Sequence, residues 1–280
     1  MANHTERDYN VELEKVAYLV SRAESDAVPS GAIAFRGELG RLTNAYLLYR
    51  YLVERGDTNG APLAIRILYA KMVSCLAGVR HLLGHGYAGP AAMVLRGMFE
   101  TAVNLQVILK EDTAFRCQLF EDFLYIERYQ RMDSTPVTDE QRARNEADYS
   151  RVRSNYHPAR PYSWSWKAVP SARSRGKSGP DNPTFRELCE HIGHPEYYEE
   201  LYGRLSTAIH PVPSYETWMR RSDGHMELGP NFTHHVPALA TVTIALAVDT
   251  LARVTMGLDL PDSLALSEFS GRLLCPSSED

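Results

Sequence analysis

Apolar residues recur along this chain at the three-to-four-residue spacing of helices, and the strict alternation of a half-buried strand is rare. Residues 9–25 place Val11, Leu13, Val16, Ala17, Leu19 and Val20 on one broad face. Residues 31–55 do the same with Leu39, Leu42, Ala45, Leu48 and Leu52 before Gly56 and Asp57 stop the pattern. A third helix opens at Pro62 and ends at Gly84 and Gly86. Pro90 stands in the first turn of a strongly apolar helix over 90–109, where its missing N–H costs nothing. Asp112-Thr113 begins another helix, and Thr138-Asp139-Glu140 caps a more polar one through Arg153. Residues 156–182 break the period with four prolines and two glycines, which predicts a loop of unusual length. Helices resume over 185–192 and 196–209, the second ended by His210-Pro211. A second loop spans 211–235, and a last helix, apolar almost all round, runs over 236–256 as a central core element.

The expected fold is all-α: a bundle of about eight to ten helices with two long loops, in one domain over 1–280. Residues 1–56 form an N-terminal helical hairpin in this reading, 60–256 the main bundle, 156–182 a loop and 257–280 a tail. A chain this long buries roughly 75% of its unfolded surface, so it needs no disulfide or metal staple. Cys75, Cys117, Cys189 and Cys275 are scattered without CxxC spacing, as reduced, buried thiols would be. The first ten residues carry Glu6, Arg7 and Asp8 where a signal peptide needs an apolar core. The apolar run 236–248 is interrupted by Asp249 after 13 residues, short of a membrane span. The expectation is a cytoplasmic protein without membrane contact.

A net charge of −5 conceals a local asymmetry. Residues 149–180 hold Arg151, Arg153, Arg160, Lys167, Arg173, Arg175 and Lys177 and no acid, interleaved with Tyr156, Tyr162, Trp164 and Trp166. Cations for phosphates beside flat rings for bases suit single-stranded nucleic acid, so Arg160, Trp164, Trp166, Lys167, Arg173, Arg175 and Lys177 are candidate RNA-binding residues. The alternative is a basic loop folded over the chain's own acidic surface.

Three further constellations could carry chemistry. Arg96, Glu100 and Asn104 recur at every fourth position of an apolar helix and form one polar stripe, either a buried structural ion pair or one wall of a polar cavity. Arg204 and His210 end a helix with a forked phosphate donor and a proton-transfer group. On a straight helix they lie about 120° apart, so the proline-broken end must turn His210 inward. The alternative is a histidine that satisfies the last carbonyls, with Arg204 on a solvated face. His81 and His85 have the spacing of a two-histidine metal pair but lack acidic partners, and no metal is expected there. Arg80 and His85 also make a loose Arg-x4-His pattern. No Gly-rich phosphate loop, nucleophile elbow or HExxH is present.

Two segments carry a resemblance: the helix that runs from Gly86 through Leu95-Arg96 to Phe99-Glu100, and Tyr202-Gly203-Arg204-Leu205-Ser206-Thr207-Ala208-Ile209-His210. Together they resemble a bacterial all-helical family of unknown function marked by LLR-x3-E and Y-x-x-LS-x3-H. That resemblance implies that Arg96, Glu100, Ser206 and His210 act together; Asn104 and Tyr202 are further candidates for the supporting polar site. More loosely, Arg204-x5-His210 resembles the Arg-x4–6-His motif of HEPN domains, helical proteins that often act as metal-independent ribonucleases in bacterial toxin and anti-phage systems. The implied roles are His210 as the acid-base group and Arg204 as the phosphate clamp, with no cofactor. HEPN sites usually form across a homodimer, and RNA and a partner or antitoxin protein are the implied partners. The competing expectation is a non-enzymatic sensor or partner-binding module with a small-molecule pocket around Arg96 and Glu100.

Overall fold

The computed structural model describes residues 33–54, 58–157, 163–169, 182–207, 219–220, 226–227 and 235–259. The expected helix at 9–25 and the tail beyond 259 lie outside the described residues. Within them the chain is all-α, with eight α-helices: α1 Arg36–Glu54, α2 Leu63–Gly84, α3 Ala88–Lys110, α4 Thr113–Gln130, α5 Asp139–Val152, α6 Phe185–Ile192, α7 Gly203–Thr207 and α8 His235–Gly257. Single 3-10 turns cover Arg153–Asn155 and Trp164–Trp166, and a π-helical turn, Tyr197–Tyr202, leads directly into α7. Inside the second expected loop, Met219–Arg220 pair antiparallel with Met226–Glu227.

Local chemistry explains where these helices begin and end. At α5 the Thr138 hydroxyl accepts from the Gln141 amide, and the Gln141 side chain accepts from the Thr138 amide. Thr184 and Glu187 repeat the same reciprocal cap at α6, which Gly193 closes in the left-handed conformation at φ 87°. Each cap satisfies backbone donors that a helix end leaves without an intrahelical partner.

The core sits where α2, α3 and α8 pack together: α1 closes on α2 and α8, α4 on α2 and α3, and α6 and α7 on α3. In α3 eleven residues are buried, including Leu95, Met98, Phe99, Val103 and Ile108. α8 is buried on a comparable scale and continues past Asp249 to Gly257, because that carboxylate is bonded rather than terminating the helix. Both helices are 23 residues long and apolar enough, by length and composition, to cross a bilayer. Polar groups nonetheless join them: the Gln106 amide of α3 donates to Asp249 at 2.9 Å and to the Thr250 hydroxyl at 3.2 Å.

A second buried polar tie fixes α1. Tyr49 stacks on Tyr69 at 4.9 Å, donates its hydroxyl to the Ala247 carbonyl, and accepts at its own carbonyl from Tyr69. Burial pushes the Tyr49 hydroxyl well above its ordinary pKa, so it stays a donor across the accessible pH range. Two thiols behave as structural groups: burial raises Cys117 to about 11 and Cys189 to about 12, while Cys75 is half-buried and Cys275 lies outside the described residues.

Candidate functional site

The two segments singled out in the sequence meet in space. Arg96, on the face of α3 toward α7, donates through Nη2 to the Tyr202 hydroxyl at 2.8 Å, and its guanidinium carbon lies 4.7 Å from the Tyr202 ring centre. Its Nε donates to Glu100 at 3.2 Å. Tyr202 is held by other rings: Tyr198 stacks on it at 5.1 Å, Phe185 lies 4.8 Å away, and Phe99 reaches it from α3. Tyr202 is the last residue of the π-helical turn, and such turns, rare in helices, shift the side-chain phase that follows and recur at functional sites.

The pair is not sealed inside the bundle. The Arg96 side chain is 15% exposed and that of Glu100 41%, so the pair lies at the rim of the helix interface. A half-exposed carboxylate keeps its water, and removing it leaves Arg96 its bond to the Tyr202 hydroxyl and partial access to solvent. Glu100→Ala is therefore expected to cost under about 1 kcal/mol, not the roughly 3 kcal/mol of a buried pair. Urea unfolding of the variant checks this directly, and a loss of several kcal/mol would show the pair to be interior.

Asn104 has a different role from its two neighbours on the stripe. Its amide donates to the Glu100 carbonyl at 2.7 Å, while its oxygen accepts the Trp164 indole N–H at 2.7 Å. Beyond Tyr202, Arg204 is exposed, Leu205 is buried at 3% and Ser206 is half-buried. His210 lies outside the described residues, as do Arg160, Arg173, Arg175 and Lys177.

The described part of the basic segment is built into the protein. Trp164 is 7% exposed and packs edge-on against Phe120 at 5.4 Å. This corrects the expectation of a base-stacking Trp164: the Asn104 acceptor lets the indole enter the core without stranding its N–H. Trp166 is half-buried against the His157 ring, and the Lys167 ammonium donates to Asn155 at 3.0 Å. Arg151 lies within 3.8 Å of Asp122 and 3.7 Å of Asp148, and Arg153 donates to the Tyr149 hydroxyl and the Tyr156 carbonyl.

Two polar centres were not anticipated from sequence. Arg116, 3% exposed, donates to the Val107 and Ala168 carbonyls, to Glu111 and to His191. It ties the end of α3 and α4 to the 163–169 segment and α6. Around Asp249, Tyr197 donates at 3.1 Å and Arg253 at 3.3 Å, and Arg253 also donates to His194. A guanidinium can only donate, so His194 presents its Nε2 lone pair and carries its proton on Nδ1, which donates to Glu196 at 2.8 Å. That hydrogen bond is the main reason the Glu196 carboxyl titrates below its ordinary value. Asp249, read from sequence only as an interruption, was the available signal: an acid inside an apolar helix needs partners.

Among the described residues no three histidine, cysteine or acidic side chains converge as a metal site. His81 and His85 have rings 4.3 Å apart with no third ligand of that kind.

Residues 63–226 match DUF5677, described as a family of unknown function. No curated protein and no solved structure matches the chain. The family match begins at the first residue of α2 and encloses both the Arg96–Glu100 helix and the Tyr202–His210 segment, well over half of the sequence. The protein belongs to DUF5677.

Proposed function

We propose that this DUF5677 protein is a cytoplasmic, HEPN-like protein that binds RNA and cleaves it without a metal ion or cofactor, the kind of chemistry used by bacterial toxins and anti-phage effectors. The observation that carries this reading is the Arg96–Tyr202 contact. It joins two motifs 106 residues apart and leaves Arg204, an exposed guanidinium, two residues beyond the joint. In this reading Arg96, Glu100 and Tyr202 are positioning residues that hold the helix carrying Arg204, Ser206 and His210. Arg204 clamps a phosphate, and His210 moves the proton between the ribose 2′-hydroxyl and the leaving oxygen. One motif per chain suits a homodimer whose two copies complete the site, held in check by a partner or antitoxin protein.

The test is RNA binding and cleavage under chelator. Binding to single-stranded RNA is expected to weaken with salt at a log–log slope of about −0.7 per phosphate neutralised, and replacing Arg173, Arg175 and Lys177 by Ser should flatten that slope. Absence of binding at low salt would favour a non-enzymatic sensor or partner-binding module around Arg96 and Glu100. A specific observation supports that second reading. Arg151, Arg153 and Lys167, three of the seven cations in the basic stretch, already bond the protein itself.

A further inference from the structure

The start of α1 and the end of α2 flank a solvent-open polar cavity of about 180 Å³, lined by Leu39, Thr43, Arg80, His81, Gly84 and His85. None of these residues belongs to the Arg96–Tyr202 site. Among the described residues no carboxylate lines the cavity, while one guanidinium and two imidazoles do. The Arg80 guanidinium lies over the Tyr46 ring at 5.1 Å, and its Nε–H is shut off from solvent with no hydrogen-bond partner. Among the described residues it has no ion-pair partner. With no described carboxylate beside it, the guanidinium is left to solvent or to an anion that enters the cavity.

The surroundings favour an anion more than a helix C-terminus usually does. Three of the last four carbonyls of α2 are already taken, that of His81 by the amide and Nδ1–H of His85, and those of Leu82 and Leu83 by the amides of Tyr87 and Gly86. Because a carbonyl only accepts, His85 holds its proton on Nδ1 and leaves Nε2 as the atom available to a ligand. Gaining a proton there turns it into a second charged donor. The Thr43 hydroxyl donates to the Leu39 carbonyl and adds no negative charge. The cavity is smaller than the roughly 300–1,000 Å³ of sites that enclose whole drug-sized molecules, so it suits a compact group.

We propose that this cavity binds a phosphate group, with Arg80 as the fixed positive charge and His81 and His85 as the flanking donors. A phosphate group carries about −1.5 to −2 charge at neutral pH, which a carboxylate cannot match against three basic side chains. The group is supplied either as free phosphate or as the monophosphate of a small metabolite, and the inference is independent of any action on RNA.

Isothermal titration calorimetry with inorganic phosphate, AMP and adenosine, at constant ionic strength held with chloride, tests it. Saturable binding of phosphate and AMP, with none of adenosine, is the expected result, and the tighter of the two identifies the source. Arg80→Gln should weaken binding about ten- to hundredfold, as loss of a hydrogen bond to a charged group does. Gly84→Glu is the second variant. A side chain begun at Gly84 meets nothing within 4 Å, so this change puts a carboxylate into the cavity without a clash and should abolish binding in a folded protein. Heats no larger than chloride gives, or wild-type affinity in Gly84→Glu, would overturn the proposal.

Discussion

His210→Ala is expected to slow RNA cleavage by roughly 10²–10⁴-fold, the contribution of one positioned acid-base group, with RNA binding retained. Arg204→Ala should slow it comparably. Arg204 is exposed in α7, so truncating it removes charge without opening a cavity in the core. Arg204→Lys should restore only part of the rate, because an ammonium lacks the planar fork that holds two phosphate oxygens. Tyr202→Phe separates positioning from chemistry: the ring contact with Arg96 survives, the 2.8 Å hydrogen bond is lost, and a modest fall in rate with unchanged stability is the expected outcome. Arg144→Gln, which breaks only an exposed pair with Glu140 on α5, is the control. Cleavage that disappears with chelator, or that His210→Ala leaves at the wild-type rate, would remove the ribonuclease reading.

Helices were legible in this sequence because their signals are local. Thr138, Thr184 and Gly193 mark ends through hydrogen bonds spanning three or four residues, and the apolar faces of α1, α3 and α8 follow from spacing alone. The meeting of Arg96 with Tyr202 has no such signal. It depends on how α3, α6 and α7 cross, and only the resemblance of the two motifs suggested it. The helix expected over 196–209 begins with a π-helical turn, Tyr197–Tyr202, which rotates α7 relative to the residues before it and which spacing alone does not signal. Trp164 was misjudged for a related reason. A tryptophan in a polar, proline-rich stretch reads as exposed until its acceptor is known, and Asn104 lies 60 residues away. Arg116 and Asp249 share this property, since a charge on a helix looks solvated until its partners are in place.

The largest stability effect is expected at Arg116. Arg116→Met keeps most of the side chain's length but strands the Val107 and Ala168 carbonyls in the interior, at about 1–3 kcal/mol for each buried group left unsatisfied, so a loss of about 3 kcal/mol is expected. Glu111, 56% exposed, contributes little to that figure. The same centre makes stability depend on pH. His191 accepts from Arg116 through Nε2, and burial first, then Lys110 and Arg116, push its pKa below the ordinary value of about 6.5, with Glu111 opposing. The unfolded chain therefore binds a proton more readily than the folded one. Stability from His191 is fully present above about pH 6.5 and is lost as pH falls through the folded-state value. Urea unfolding between about pH 5 and 7.5 should show this decline in the wild type and a shallower one in His191→Gln. Arg116→Met should lie between them, because the repelling charge is gone while the burial remains. Equal slopes in all three proteins would show that His191 is not held neutral by this centre, and an Arg116→Met midpoint within error of wild type would place the guanidinium in solvent.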